Sequence, residues 1–234
     1  MSAVTIAFFD VDETLVDTKS MFDFLRFHLA SRGDDGTRYD EQAGALRQAA
    51  SSGVPRSEIN RAYYRLFAGE SWNGLLAAGE RWYAELLTRP APFLAEGIAA
   101  LRFHQAAGHQ VALVSGSFRP CLGPVAAHLG ADVVLCTEPL IDDSGRLTGE
   151  VAMPMIGNNK RAAVLGLIAR RGADPARCFG YGDHSSDLAF LAEVGHPTVI
   201  GRDPDLTAVA EREGWPILAA TTCATVEARP ASRT

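Results

Sequence analysis

Residues 4–15 read VTIAFFDVDETL, an apolar run that ends in a group of carboxylates. Its first six residues are apolar and rich in β-branched and aromatic side chains, which is typical of a strand buried on both faces of a parallel sheet. The strand is predicted to end at Asp10. Because open α/β sheets bind their ligands beyond the carboxyl ends of the strands, Asp10 and Asp12 mark a candidate site.

Four further apolar runs predict strands, at residues 110–114, 132–135, 177–181 and 198–200. Segments with apolar residues at helical spacing lie around and between them, at residues 93–107, 119–129, 160–171 and 187–194. Strands that alternate with helices in this way predict βαβ units. The fold class is therefore predicted to be α/β, with a doubly wound parallel sheet.

The segment from residue 18 to residue 89 breaks this alternation, because it shows helical patterns and no clear strand. It predicts a helical domain inserted after the first strand. The catalytic core is then expected to comprise residues 1–17 and 90–220. A tight turn at residues 142–145 predicts a hairpin, and the small, polar residues 221–234 are expected to be disordered.

Composition restricts the possible partners. The chain has 234 residues, a formal net charge of −6 and a sequence pI of about 5.5, which argues against a nucleic-acid partner. No apolar run approaches the length of a membrane span, so no membrane partner is expected. The four cysteines have no CxxC spacing, which favours reduced thiols and a cytoplasmic protein. Monomer and homodimer both stay open.

Several chemically active side chains stand at or near the carboxyl ends of the predicted strands: Asp10, Asp12, Ser115, Lys160, Asp183 and Asp187. Carboxylates crowded at one sheet edge repel one another unless a hard cation such as Mg²⁺ neutralises them. A carboxylate shielded in this way can attack phosphorus, and a second one two residues further on can transfer the proton of the leaving group. The lysine and the hydroxyl would hold the phosphoryl oxygens.

These motifs resemble those of the haloacid dehalogenase superfamily, and in particular of subfamily IB, its phosphoserine-phosphatase-like branch. The matching positions follow the family order, with DxDxT as Asp10, Asp12 and Thr14, then Ser115, then Lys160, then GDxxxD as Asp183 and Asp187. The resemblance covers nearly the whole chain. It implies that residues 18–89 form the family's type-one cap.

The resemblance also implies a role for each matching residue. Asp10 is the implied nucleophile and, with Asp183, a ligand of Mg²⁺. At position 12 the backbone carbonyl is implied to bind the metal, while the Asp12 carboxylate acts as general acid and base. An acid at this position favours a phosphatase over a dehalogenase, which lacks that proton donor. The implied phosphate-binding and supporting groups are Ser115, the Gly116 amide, Lys160, Thr14 and Asp187.

The sequence departs from the family pattern in the predicted cap. Phosphoserine phosphatases carry a glutamate nine residues after the nucleophile, where it meets the substrate ammonium, and this chain has Lys19 there. The charge reversal predicts that phosphoserine is a poor substrate. Lys19, Arg61 and Arg65 are candidates for substrate specificity, although ordinary solvated helix charges fit the pattern equally well. Glu13 stands where the family most often has glycine.

The sequence therefore predicts a Mg²⁺-dependent phosphatase that hydrolyses a small phosphorylated metabolite through an aspartyl-phosphate. Two other classes stay open at this level. A phosphotransferase or mutase would hand the phosphoryl group to a second substrate on the same scaffold. A phosphate-responsive binding module without catalysis is disfavoured by the intact acid at Asp12.

Overall fold

The strands of the computed structural model, which describes residues 4–201 and 203–228, form a central sheet and two small pairs. In chain order the strands are β1 (Ile6–Phe9), β2 (Phe93–Leu94), β3 (Gln110–Ser115), β4 (Val133–Cys136), β5 (Pro139–Ile141), β6 (Leu147–Val151), β7 (Phe179–Gly182), β8 (His196–Ile200), β9 (Ile217–Leu218) and β10 (Thr222–Cys223). The central sheet has the order β4-β3-β1-β7-β8-β9, and its neighbouring strands are parallel. The predicted α/β class is confirmed.

Strand β1 lies in the middle of the sheet, between β3 and β7, and its four residues are fully buried. Successive side chains of a strand point to opposite faces. Ala7 and Phe9 accordingly join one hydrophobic core, and Ile6 and Phe8 join the other. Because both faces are covered, the strand is apolar without alternation. The carboxyl ends of β3, β1 and β7 therefore lie side by side.

The helices, in chain order, are α1 (Ser20–Ala30), α2 (Thr37–Ser51), α3 (Arg56–Arg65), α4 (Trp72–Leu86), α5 (Ala95–Ala106), α6 (Arg119–Leu129), α7 (Asn158–Arg171), α8 (Leu188–Leu191) and α9 (Pro204–Glu213). Helices α1 to α4 lie between β1 and β2, where the helical insert was predicted. We call residues 18–89 the cap and residues 1–17 and 90–220 the core. This division remains our proposal.

An aromatic cluster joins the cap to the core. Phe24, Tyr63 and Phe67 of the cap pack against Phe118, with ring centroids 5.5, 6.3 and 5.8 Å apart. Helices α4 and α6 approach closely at Gly79, where an added Cβ would lie 1.9 Å from the carbonyl oxygen of Pro120. A larger side chain at position 79 would therefore force the two helices apart.

The predicted hairpin is present as β5 and β6. Asp142 organises its turn, because its Oδ1 accepts hydrogen bonds from the backbone N–H groups of Ser144 (2.9 Å) and Arg146 (3.0 Å). The hairpin also supports the cap. The backbone N–H of Trp72, at the start of α4, donates to the carbonyl oxygen of Gly145 at 3.0 Å.

Two sequence predictions need correction at the end of the chain and around residue 93. Phe93 and Leu94 form β2 instead of a first helical turn, and they pair antiparallel with β10. The predicted disorder is consequently wrong for residues 221–228, while residues 229–234 lie outside the described residues. Beyond β10, the carbonyl oxygen of Glu227 accepts a hydrogen bond from Arg102 at 2.8 Å. Such backbone pairing between distant segments leaves no periodic pattern in the sequence.

The predicted strand at 177–181 and helix at 187–194 have other boundaries in the structure. A 3₁₀ turn at Pro175–Arg177 delays β7, and Asp174 caps this turn by accepting the backbone N–H of Ala176 at 3.0 Å. Helix α8 has four residues and follows a second 3₁₀ turn, Ser185–Asp187. Both differences arise from short capped turns, whose local hydrogen bonds compete with regular structure.

Two further features concern the helices and the cysteines. Among the described residues, no helix combines the length and apolarity needed to cross a membrane. The cysteine thiols are free, at Cys121, Cys136, Cys178 and Cys223.

A buried histidine beneath the sheet predicts how stability depends on pH. His104 is fully buried, and its Nε2 lies 2.9 Å from the hydroxyl of Tyr181. Burial, with a contribution from His109, lowers the pKa of His104 to about 4. Because the unfolded chain binds this proton below about pH 6.5, the stabilisation is complete above that pH and is lost as the pH falls towards 4.

We therefore expect the free energy of unfolding to contain a His104 contribution that decreases by about 1 to 3 kcal/mol between pH 6.5 and 4. Chemical denaturation of the wild type and of His104→Phe across this range measures it, since titrating groups other than His109, which contacts His104, keep the same surroundings in both proteins. The free energy of unfolding of the wild type minus that of His104→Phe should decrease as the pH falls from 6.5 to 4. A difference that does not change with pH would contradict the assignment.

Candidate active site

A pocket opens at the carboxyl edge of the central sheet. Asp10 follows β1, Ser115 ends β3, and Asp183 follows β7, so three adjacent strands bring these side chains together. All three are buried. The sequence-predicted residues that line the pocket are Asp10, Asp12, Lys19, Ser115, Gly116, Lys160, Asp183 and Asp187.

The chain turns sharply after β1 and thereby sets the direction of Asp10 and Asp12. The carbonyl oxygen of Val11 accepts hydrogen bonds from the backbone N–H groups of Leu15 (2.9 Å) and Val16 (3.0 Å). Glu13 takes φ +58°, in the left-handed region that favours glycine. Glycine would adopt this conformation without strain, so the backbone gives a physical reason for a glycine at this position.

Thr14 lies behind the pocket in a supporting position. It is fully buried, and its hydroxyl donates a hydrogen bond to Asp183 Oδ1 at 3.3 Å. Its backbone packs against α5 at Gly97, where an added Cβ would lie 2.0 Å from the Thr14 carbonyl oxygen. The turn that carries the two predicted catalytic carboxylates is therefore fixed by close packing against α5.

Lys160 links two of the carboxylates. It lies in the first turn of α7 and is buried, and its Nζ donates to Asp10 Oδ1 and, at 2.7 Å, to Asp187 Oδ1. Burial alone would lower the pKa of Lys160, but the two carboxylates raise it above its ordinary value. The ammonium group is therefore charged at neutral pH.

The carboxylates carry more negative charge than this lysine can neutralise. Asp10, Asp183 and Asp187 each place an oxygen within 4.8 Å of the others. Burial, followed by the negative charges of Asp187 and Glu13, raises the pKa of Asp183 to about 7. Burial and the neighbouring carboxylates also raise the pKa of Asp10, against the effect of Lys160. A group of buried oxygen donors with excess negative charge fits a hard divalent cation.

The composition of this group differs in part from the predicted metal ligands. The prediction named Asp10, residue 12 and Asp183, whereas the compact carboxylate group contains Asp187 and not the Asp12 side chain. The prediction for residue 12 concerned its backbone carbonyl, and it stays a prediction. Asp187 enters the group because Lys160 holds its carboxylate towards Asp10.

Asp12 differs from its neighbours in its surroundings. Its Oδ1 is buried and has no hydrogen-bond partner among the described residues. Burial raises the pKa of Asp12 to about 6, although hydrogen bonds from Ser20 oppose the shift. The side chain lines the same pocket as Asp10. A carboxyl group in this state can both give and accept a proton near neutral pH.

The loop Ser115–Gly116–Ser117 also lines the pocket. The Ser115 hydroxyl oxygen accepts the backbone N–H of Ser117 at 3.1 Å. Gly116 lies against Ile156, whose Cδ1 would be 2.6 Å from an added Cβ and would have to move to admit a side chain. The loop is thus closely packed and presents a hydroxyl and backbone groups to the pocket.

The predicted specificity residues separate into two groups. Lys19 lies at the pocket, and its ammonium is 3.4 Å from Glu13 Oε2. Arg61 and Arg65, by contrast, do not line this pocket. Arg61 donates to the carbonyl oxygen of Val151 at 2.9 Å, and Arg65 pairs with Glu150 at 3.2 Å. Both arginines lie on the face of α3 that packs against β6.

Sequence reasoning missed Arg56 as a pocket residue. Arg56 is the first residue of α3, lines the pocket and contacts His184 Nε2 across it. His184 is held in turn by Asp203, 3.4 Å from its Nε2, and by the backbone N–H of Ser186, which donates to its Nδ1 at 3.0 Å. No sequence signal distinguishes Arg56 from the other cap arginines, since the docking of α3 decides which of them reaches the pocket.

Comparison with known proteins agrees with this site. The family model described as haloacid dehalogenase-like hydrolase matches residues 7–192. The chain therefore belongs to the haloacid dehalogenase-like hydrolase family, as the motifs predicted, and within that family it is a phosphatase.

Two curated relatives from Mycobacterium tuberculosis (strain ATCC 25618 / H37Rv) are named as phosphatases. The protein named probable phosphatase is 30% identical, over 92% of this chain and 75% of its own length. The protein named phosphoserine phosphatase SerB1 is 31% identical, over 90% of this chain and 69% of its own length. A crystal structure of a protein of unknown function from Bordetella pertussis Tohama I has a TM-score of 0.83 at 24% identity, covering 94% of this chain and all of the other. This last similarity shows the fold alone.

Proposed function

We propose that the protein is a Mg²⁺-dependent phosphomonoesterase that acts on a small phosphorylated metabolite in the cytoplasm through an aspartyl-phosphate. The observation that carries the proposal is the position of Asp10. It is buried at the end of the central strand, hydrogen-bonded to Lys160, and grouped with Asp183 and Asp187, with Asp12 two residues further along the chain.

The residues present fit a magnesium ion. We propose that the carboxylates of Asp10 and Asp183 and the backbone carbonyl of residue 12 hold it, while Asp187 supports the group through Lys160. When bound, Mg²⁺ supplies charge neutralisation to the carboxylates and to the phosphoryl oxygens. The ligands of Mg²⁺ that a protein does not supply are usually oxygens of water and of the substrate phosphate.

The remaining chemistry belongs to the side chains. A carboxylate oxygen of Asp10 attacks phosphorus, and the bond between phosphorus and the leaving oxygen breaks as Asp12 donates a proton to that oxygen. Asp12 then accepts a proton from water, whose oxygen attacks phosphorus and releases phosphate from Asp10. The Ser115 hydroxyl, the Gly116 amide and Lys160 hold the phosphoryl oxygens throughout.

A panel of phosphorylated metabolites tests this proposal. The purified protein is incubated with sugar phosphates, nucleotides and phosphoamino acids in Mg²⁺, and released phosphate is compared with phosphate transferred to an added hydroxyl acceptor. We expect release to exceed transfer and to stop in excess EDTA. Transfer that exceeds release would favour a phosphotransferase, and no turnover of any phosphomonoester would overturn the proposal.

The pocket mouth determines which substrates we expect. Lys19 and Arg56 place two cationic side chains there, and Glu13 balances Lys19 in part. We propose that the substrate carries a second anionic or hydroxyl-rich end. Phosphoserine belongs in the panel because relatives of this chain are named phosphoserine phosphatases, but its ammonium would meet a cation at Lys19.

We predict that phosphoserine is a poor substrate and that Lys19→Glu raises kcat/KM for it by about tenfold. Like charges about 4 Å apart cost about 1 kcal/mol in water and more in a pocket, and about 1.4 kcal/mol corresponds to tenfold. Because Lys19 is exposed, solvent screens its charge, and the repulsion energy lies near the lower end of this range. Steady-state kinetics with phosphoserine and a sugar phosphate measure the change.

Arg65→Glu is the matched control, because it reverses the same charge in the cap outside the pocket. It should leave the preference between the two substrates unchanged. If phosphoserine is the best substrate of the wild type, or if both variants shift the preference equally, the charge of Lys19 does not set specificity.

A further inference from the structure

The carbonyl oxygen of Gly116 accepts three hydrogen bonds. Their donors are Asn60 Nδ2 at 2.8 Å, the Tyr64 hydroxyl at 3.1 Å and the Thr137 hydroxyl at 2.9 Å. All three side chains are buried. A carbonyl oxygen has two lone pairs, so three donors saturate it and restrict rotation of its peptide group.

Two of these donors belong to the cap. Asn60 and Tyr64 are four residues apart on α3 and therefore share one face of that helix. Neither lines the pocket, so neither reaches a substrate there. Thr137 completes the arrangement from the core, where its hydroxyl oxygen also accepts the backbone N–H of Met155 at 2.9 Å.

The saturated peptide group controls the phosphate-binding hydroxyl. The carbonyl of Gly116 and the N–H of Ser117 belong to one planar peptide group. That N–H donates to the Ser115 hydroxyl oxygen at 3.1 Å. Since the oxygen is occupied as an acceptor on this side, the hydroxyl hydrogen is left to donate elsewhere, and Ser115 lines the pocket.

We propose that Asn60 and Tyr64 are positioning residues for phosphoryl recognition. They hold the peptide group between Gly116 and Ser117, and through it they direct the Ser115 hydroxyl towards the phosphoryl group. This inference rests on the proposed function, because that function assigns phosphate binding to the loop. It makes the affinity for phosphate depend on cap side chains that do not touch phosphate.

The test compares two tyrosines that are neighbours on α3. Tyr64→Phe removes a donor to Gly116, whereas Tyr63→Phe removes the hydrogen bond from an equally buried hydroxyl to the carbonyl oxygen of Met21 at 2.7 Å. Isothermal titration with inorganic phosphate in Mg²⁺ reports on the phosphoryl site without any organic leaving group. Thermal unfolding measures the structural cost of each substitution.

We expect both substitutions to lower the melting temperature to a similar extent. Tyr64→Phe should weaken phosphate binding about three- to tenfold, the scale of one hydrogen bond, while Tyr63→Phe leaves it unchanged. Asn60→Ala should weaken it at least as much as Tyr64→Phe. With a substrate from the panel, Tyr64→Phe and Asn60→Ala should raise KM for the phosphate ester, and Tyr63→Phe should not.

The outcomes separate this inference from the proposed function. Unchanged phosphate binding in Tyr64→Phe and Asn60→Ala, in a protein that binds and turns over phosphate esters, overturns the positioning role and leaves the function intact. Equal weakening by Tyr63→Phe also overturns it, since the effect is then one of general cap stability. A wild type that binds no phosphate and hydrolyses no ester overturns the proposed function, and the positioning role falls with it.

Discussion

Asp10→Asn is expected to reduce turnover by at least about 10⁴-fold, the scale seen when a covalent nucleophile is removed. The amide has nearly the shape of the carboxylate but is a poor nucleophile. The fold should persist, because Lys160 keeps its hydrogen bond to Asp187 and one of several crowded buried carboxylates is removed. Phosphate release and thermal unfolding are measured on the same preparation.

The control for Asp10→Asn is the same substitution at an exposed site. Asp143 lies exposed in the turn between β5 and β6, and Asp143→Asn should keep wild-type activity. Excess EDTA should abolish phosphate release by the wild type and by Asp143→Asn alike, because the grouped carboxylates require a cation. Wild-type turnover by Asp10→Asn, or full activity in EDTA, would show that the reaction does not use this carboxylate group.

Asp12→Asn is expected to lower kcat by about 10²-fold or more, which is the usual contribution of a general acid. The Asp12 side chain lies outside the compact carboxylate group but lines the same pocket as Asp10. The variant should therefore still bind inorganic phosphate in Mg²⁺ with an affinity close to that of the wild type. Rapid-mixing kinetics and phosphate titration measure the two quantities separately.

A leaving-group series sharpens the test of Asp12. Esters with activated leaving groups, such as a nitrophenyl phosphate, need less proton donation than alkyl esters. Asp12→Asn should therefore slow phosphoryl transfer to Asp10 less for the activated ester than for an alkyl ester. An unchanged kcat with a raised KM for every ester would assign Asp12 to binding instead.

The central sheet could be predicted from the sequence because its signal is local. The run at residues 4–9 is apolar except for Thr5, and the carboxyl ends of parallel strands meet by necessity, so Asp10, Ser115 and Asp183 could be placed together from the sequence alone. The role of Lys160 followed from its place at the start of a helix before the fourth predicted strand. The structure adds its two carboxylate partners.

The cap was less predictable, because helix propensity does not determine how a helix is rotated against its neighbours. On α3, the pair Arg61 and Arg65 faces β6, whereas Asn60 and Tyr64, one residue earlier in each case, face the loop at Gly116. One residue corresponds to about 100° around a helix. Packing of the aromatic cluster sets this rotation, and no pattern within α3 encodes it.

Trapping of the covalent intermediate tests whether Asp10 is the nucleophile. The wild type is mixed with Mg²⁺ and an excess of its best substrate, quenched in acid, reduced with borohydride and mapped by peptide mass spectrometry. Reduction converts an aspartyl-phosphate to homoserine, and we expect homoserine at position 10 in the wild type and none in Asp10→Asn. Turnover without any modification at position 10, or with the phosphoryl group trapped on another side chain, would contradict it.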